Sequence, residues 1–134
     1  TSSKQIVLEE DQDHNKFKIQ RTPELIYGLR NFIGNAVKFC RNIVEIKIYS
    51  NDTDLSIVIN DDGPGFPEDI FAIIGEPYIR SKSQEISSNS GTGLGTFLGK
   101  TLLERKLATL SFSKDKKLGG ASVNIKWKIK DLKD

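Results

Sequence analysis

Apolar and polar residues alternate over two neighbouring stretches of this chain. Val44, Ile46 and Ile48 interleave with Glu45 and Lys47, and Leu55, Ile57 and Ile59 with Ser56 and Asn60. A period of two places all the apolar side chains on one face of a strand. Asn51-Asp52-Thr53-Asp54 lies between the two stretches, so the pattern predicts a hairpin with one buried face. Val123, Ile125, Trp127 and Ile129 alternate with Asn124, Lys126 and Lys128 in the same way. Residues 110–113 are the expected partner of this strand, through a turn at 115–119. Residues 6–8 and 17–19 are weaker strand candidates.

Three segments read as helices. The first opens with Thr22 as N-cap, Pro23 at the first helical position and Glu24 near the positive end of the helix dipole. It is expected to run to about Arg41. A short helix should follow Pro67, over 68–74, and a third should start within Gly93-Leu94-Gly95 and reach about Leu107. The polar stretch 81–90 cannot hold itself in a core and reads as a mobile loop. This order of elements predicts an α+β fold: a two-layer sandwich with a mixed, mostly antiparallel sheet and helices on one face.

Length and composition narrow the function classes. A chain of 134 residues fits one domain over 1–134, large enough to bury its own core. A net charge of +2 is too small to suggest nucleic acid or an anionic membrane as the main partner. One cysteine, Cys40, leaves no internal disulfide framework. No apolar run approaches the roughly 20 residues needed to span a bilayer. The opening Thr1-Ser2-Ser3-Lys4 lacks an initiator methionine, and we read the chain as a fragment of something longer.

Three motifs carry chemistry. On the first helix Leu25, Leu29, Ile33, Ala36 and Cys40 gather on one side, while Asn31, Asn35 and Lys38 fall within about 60° of each other on the opposite side. A solvated polar face is the plain explanation. The same spacing also puts a neutral oxygen ligand for Mg²⁺ and a cation for phosphates on one face. The second motif, Asp61-Asp62-Gly63-Pro64-Gly65, directly follows a predicted strand. It is good turn chemistry, yet it also places a carboxylate where it can accept a hydrogen bond from an exocyclic amine, beside glycines that let a flat ring approach. The third, Gly91-Thr92-Gly93-Leu94-Gly95-Thr96, leads into a helix, whose first N–H groups could meet an anion. It follows no strand and contains no Gly-Lys-Ser/Thr, so it is neither a dinucleotide fingerprint nor a Walker loop. A hinge for the preceding loop is the alternative.

Taken together, in this order and spacing, the motifs resemble the N box and the two glycine boxes of the Bergerat-type ATP-binding fold shared by histidine kinases, gyrase, Hsp90 and MutL. Glu76-Pro77-Tyr78 stands where histidine kinases carry the F box. The resemblance implies that ATP and Mg²⁺ bind. Asn35 would be the Mg²⁺ ligand, supported by Asn31, with Lys38 on phosphate oxygens and Phe39 beside the nucleoside. Asp61 would take the adenine amino group, next to Gly63 and Gly65. Gly91, Thr92, Gly93, Leu94, Gly95 and Thr96 would cradle the phosphates. Tyr78, Arg80 and Lys82 belong to the F box and lid, and Ser122 would place a hydroxyl near the adenine.

ATP-hydrolysing members of the superfamily carry an acidic residue one helical turn before the metal-binding asparagine. Here Asn31 occupies that turn, and it cannot act as a base. The chain is therefore identified as the catalytic ATP-binding domain of a bacterial sensor histidine kinase. Such a domain donates the γ-phosphoryl group to a histidine on the dimerisation domain of the same protein, with a response regulator downstream. An anti-sigma-factor-type serine kinase is the alternative, although its acidic residue is absent here and its lid is shorter. Gly75-Glu-Pro-Tyr78, the segment leading to Lys100-Thr-Leu-Leu-Glu-Arg105 and Gly119-Gly120-Ala121 resemble the redox-responsive RegB/PrrB-type kinases. His14 lacks the acidic neighbour of a phosphoacceptor and reads as a surface residue, so no catalytic residue is expected in the fragment. The resemblance further implies a monomeric fragment on the cytoplasmic side and a homodimeric parent anchored in the inner membrane.

Overall fold

The computed structural model describes residues 4–10, 21–66 and 92–132, with side chains from 98 onward in the last stretch. The predicted strand at 17–19, the helix at 68–74, the loop at 81–90, and His14, Tyr78, Arg80, Lys82 and Gly91 lie outside these residues. The described elements are β1 (Gln5–Glu10), α1 (Pro23–Phe39), β2 (Ile43–Ser50), β3 (Asp54–Asp61), α2 (Thr92–Arg105), β4 (Thr109–Lys114) and β5 (Ala121–Lys128). The strands form one sheet in the order β1-β2-β3-β5-β4. Only β1 and β2 are parallel; the other pairs are antiparallel. The expected mixed, mostly antiparallel sheet is what forms.

Alternation decides which face of the sheet the helices cover. Val44, Ile46, Leu55, Ile59, Val123, Ile125 and Trp127 share one core with Leu25, Phe32, Ala36 and Leu103 of the helices. Phe112 of β4 packs on Phe32 with centroids 5.9 Å apart, and Phe66 meets it edge-on at 5.8 Å. Thr22 caps α1 as expected, its hydroxyl accepting from the Leu25 N–H. The helix stops at Phe39 rather than Arg41. The Asp62 carboxylate accepts hydrogen bonds from the backbone of Arg41, Asn42 and Ile43 instead, at 2.8–3.2 Å. Lys4 covers the negative end of the helix, donating to the carbonyls of Val37 and Lys38.

α2 ends at Arg105, two residues before the expected Leu107. Leu107 adopts a left-handed φ of 71°, and the Ala108 N–H returns to the Leu103 carbonyl while Leu107 N–H bonds Glu104. This is a Schellman ending with leucine where glycine is usual. The left-handed backbone costs about 1–2 kcal/mol, and the side chain stays exposed.

The buried line of α1 is Leu25, Gly28, Phe32 and Ala36. It is rotated toward Gly28 and Phe32 from the stripe expected on sheet packing alone, because α2 packs beside α1 as well. Glycine lets the two helices approach. A Cβ on Gly28 would lie 2.6 Å from Cγ and Cδ2 of Leu103, which has no exposed surface to move into. A helix-interior Gly→Ala change ordinarily stabilises by about 1 kcal/mol. Here overpacking costs about 1–3 kcal/mol, so Gly28→Ala should lower the urea unfolding midpoint. A raised midpoint would show that the helices have room to separate.

Candidate functional site

The two helices run antiparallel: Gly28 faces Leu103, and one turn further Asn31 and Phe32 meet Gly99. Continuing that register by one turn carries Asn35 toward the first turns of α2, and Lys38 and Phe39 toward its beginning. Because α2 opens at Thr92, the N–H groups of Thr92, Gly93, Leu94 and Gly95 are those without partners inside the helix. A positive helix end thus lies alongside the polar face of α1. The third motif is this helix start.

Asn31 and Asn35 are half-buried and Lys38 is exposed. The Asn31 amide donates to the Tyr27 carbonyl one turn back, at 3.3 Å. Lys38 Nζ sits 5.2 Å from the centre of the Phe39 ring, within cation–π range.

Asp61 closes β3 on the helix-covered face, where its cross-strand neighbour is the fully buried Val44. Its Oδ1 accepts from the N–H groups of Gly63 at 2.9 Å and Ala121 at 3.2 Å. Among the described residues no hydrogen bond reaches Oδ2. Burial pushes the carboxyl up from its ordinary pKa, against the two amide hydrogen bonds, and the charges of Asp62 and Asp115 add to the rise. Glycine is required on both sides. A Cβ on Gly63 would strike the Phe39 carbonyl, and one on Gly120 would strike the Asp61 carbonyl and carboxylate. Gly65 has a φ of 85°, in the left-handed region.

These contacts bring the end of α1, the end of β3 and the β4–β5 turn together around Asp61. Ser122 does not join them. It pairs with Asn60 in the sheet, one residue before Asp61 and therefore on the opposite face, and its hydroxyl donates to Asn60 Oδ1 at 2.6 Å. The group that reaches Asp61 from this segment is the Ala121 N–H. The Gly-Gly-Ala triplet was legible as a motif, but its contact depends on β5 lying next to β3.

Asp62 is a second residue whose part the pattern does not reveal. Burial raises its carboxyl, but the amides of Asn42, Ile43 and Arg41 outweigh that and hold it below the ordinary range. A depressed folded pKa means that the carboxylate stabilises the fold above its unfolded pKa, near 3.9, and that this is lost as pH falls through the folded value. Asp62→Ala should cost about 1.5–3 kcal/mol at pH 7, with the difference from wild type fading below about pH 4 in pH-dependent unfolding. A difference that persists undiminished in acid would place the effect elsewhere.

A divalent cation fits the donors present. Among the described residues no cluster of His, Cys, Asp or Glu could hold a metal by itself. One asparagine oxygen beside the free N–H groups of a helix start suits Mg²⁺, which keeps waters and takes much of its coordination from phosphates where these bind. Asn35 would be that ligand.

Comparison with known proteins shows the family of the chain. The sensor histidine kinase RegB of Cereibacter sphaeroides is 44% identical over 106 residues, covering 75% of this chain and 23% of that protein. The sensor protein RstB of Escherichia coli is 27% identical over 101 residues, with the same coverage of each. The chain thus spans about a quarter of the length of these relatives. Among solved structures, a mycobacterial sensor histidine kinase, MprB, superposes with a TM-score of 0.64 at 22% identity, over 92% of this chain and 81% of that one. The catalytic domain of histidine kinase ThkA gives 0.69 at 19% identity, over 92% and 78%. A family model matches residues 20–131, and the chain belongs to the histidine kinase-, DNA gyrase B- and HSP90-like ATPase family.

Proposed function

We propose that this domain binds Mg-ATP and donates the γ-phosphoryl group to a histidine on the dimerisation domain of a two-component sensor kinase. The observation that carries this reading is the convergence on one edge of the fold: a buried acceptor, Asp61, stands beside the end of α1, and the polar face of α1 runs alongside the positive end of α2. Asp61 selects adenine through the exocyclic amine. The first N–H groups of α2 and Lys38 take the phosphates, and Asn35 would hold Mg²⁺, which when bound would supply charge neutralisation at the phosphates.

Asn31 decides between kinase and hydrolase. It stands where the hydrolysing relatives carry an acid, and an amide cannot take a proton from water. The domain holds ATP for a nucleophile supplied by another domain. The parent is read as a homodimer with a membrane anchor, acting on a response regulator; among the described residues no helix is long and apolar enough to cross a membrane.

Incubation of the domain with Mg-ATP alone, and then with the parent's histidine-bearing dimerisation domain, tests the reading. Phosphate release should be minimal in the first case, and acid-labile phosphohistidine should appear on the partner in the second. Steady hydrolysis would favour an ATPase, and acid-stable phosphoserine on a protein substrate would favour a serine kinase of the anti-sigma type.

A further inference from the structure

The face of the sheet turned away from the helices contains a buried charge that the proposed reaction does not use. Glu45, 5% exposed, lies directly across from Asn60, 4% exposed, and Asn60 lies directly across from Ser122. The three side chains form one row over β2, β3 and β5. Ser122 Oγ donates to Asn60 Oδ1 at 2.6 Å, and Asn60 Nδ2 donates to Glu45 Oε1 at 3.5 Å. Lys47 Nζ stands 3.3 Å from one oxygen of Glu45, and Lys117 Nζ 3.6 Å from the other.

The chemistry allows this row only one direction. Burial raises the Glu45 carboxyl, but hydrogen bonds from Lys47 and Asn60 outweigh it and hold the group below its ordinary pKa. An ionised carboxylate only accepts, so the Asn60 amide must turn its NH₂ toward Glu45. Its carbonyl then faces Ser122, which must donate. Polar groups buried on an otherwise solvated sheet face need a compensating arrangement, and this one is consistent throughout. Lys117 also belongs to the β4–β5 turn, whose end is Gly120-Ala121. The turn is closed by Asp115, through bonds with Leu118, Gly119 and Gly120.

Two of the three strands of the row, β3 and β5, lead directly to Asp61. Asn60 precedes Asp61, and Ser122 follows Ala121, whose N–H holds Asp61 Oδ1. We propose that Glu45, Asn60 and Ser122 are positioning residues for adenine recognition. They lock β5 against β3 at this point and so fix the direction in which the second oxygen of Asp61 faces. The row rests on the reading of Asp61 as the adenine acceptor and acts only through it. A hydrogen bond to that oxygen weakens steeply with angle, so a small shift in register is felt as lost selectivity.

The test compares Mg-ATP with Mg-ITP, whose base carries a carbonyl in place of the adenine amine, by calorimetry on the wild-type domain and on Ser122→Ala, Ser122→Thr and Glu45→Gln. Ser122→Ala and Glu45→Gln should raise the ATP dissociation constant roughly 3- to 10-fold and leave ITP within about 2-fold. Ser122→Thr, which restores the hydroxyl, should bind like wild type. Without nucleotide, exchange of the Ala121 amide hydrogen should quicken roughly tenfold in Ser122→Ala and Glu45→Gln, and return to the wild-type rate in Ser122→Thr. Equal losses for ATP and ITP together with a lower melting temperature would mean that the row only stabilises the fold, and would overturn the proposal. Unchanged ATP affinity with unchanged Ala121 exchange would overturn it too. If the wild-type domain itself bound ATP and ITP alike, the adenine role of Asp61 would be what fails. Ala121 exchange would then decide the row alone, quickened exchange supporting it and unchanged exchange overturning it.

Discussion

Asp61→Asn should weaken ATP binding roughly 10- to 100-fold, the range set by losing a hydrogen bond to a charged acceptor worth about 1.5–3 kcal/mol. The substitution preserves the shape of the side chain. Its carbonyl can keep the amide hydrogen bonds of Gly63 and Ala121, now made by Oδ1 at 2.9 and 3.2 Å. What turns toward the base is then an NH₂ facing the adenine NH₂, donor against donor. Guanine presents a carbonyl at that place, so preference for ATP over GTP should shrink toward unity in calorimetric titrations. The loss should not reflect unfolding. Burial raises the Asp61 carboxyl, and a raised folded pKa means that the stabilising state is the protonated one, present below the unfolded pKa and lost as pH rises through the folded value. At neutral pH the ionised group therefore costs stability, and the neutral asparagine should melt no lower than wild type. Wild-type binding of ATP and GTP with equal affinity would remove the adenine role from Asp61.

Asn35→Ala should reduce phosphoryl transfer to the dimerisation domain at least about 100-fold, with part of the nucleotide binding retained. Losing one ligand to a divalent cation, or one donor that meets transition-state charge, has effects of this order. The other contacts proposed for the nucleotide, from Asp61 and the first turn of α2, do not pass through Asn35, so binding and transfer should separate. Removal of Mg²⁺ by a chelator should reproduce the loss in the wild-type domain and add little in the variant. If Asn35→Ala transferred phosphate at the wild-type rate, the metal would have to be held by other residues. A loose transition state still needs an in-line nucleophile close to the γ-phosphate, so neither form should hydrolyse ATP appreciably alone.

Much of the architecture was legible along the chain because its signals are local. The hairpin of β2 and β3 follows from strict alternation around a polar turn, and the start of α1 from Thr22, Pro23 and Glu24. α2 was expected from its glycines and begins one residue earlier than expected, while β1 was the weaker reading that the sheet bears out. Helix ends were less legible. α1 stops at Phe39 because a carboxylate from the β3 turn takes over its following amides, and α2 stops at Arg105 on a leucine with a left-handed backbone. Neither cause is written within the helix it ends.

The candidate site divides in the same way. Residue types and spacing by themselves determined that Asn31, Asn35 and Lys38 share a helix face, that Asp61 ends a strand and that a glycine-rich segment starts a helix. Each is a property of one element and its period. Only the tertiary structure decided that these elements meet, that the buried side of α1 turns toward Gly28 and Phe32, and that Ala121 rather than Ser122 reaches Asp61. The last outcome rests on register. Asn60 and Ser122 pair across β3 and β5, which commits both side chains to the open face and leaves a backbone N–H to hold the carboxylate. Strand pairing joins residues sixty positions apart, and no pattern confined to either strand specifies which residue stands opposite which.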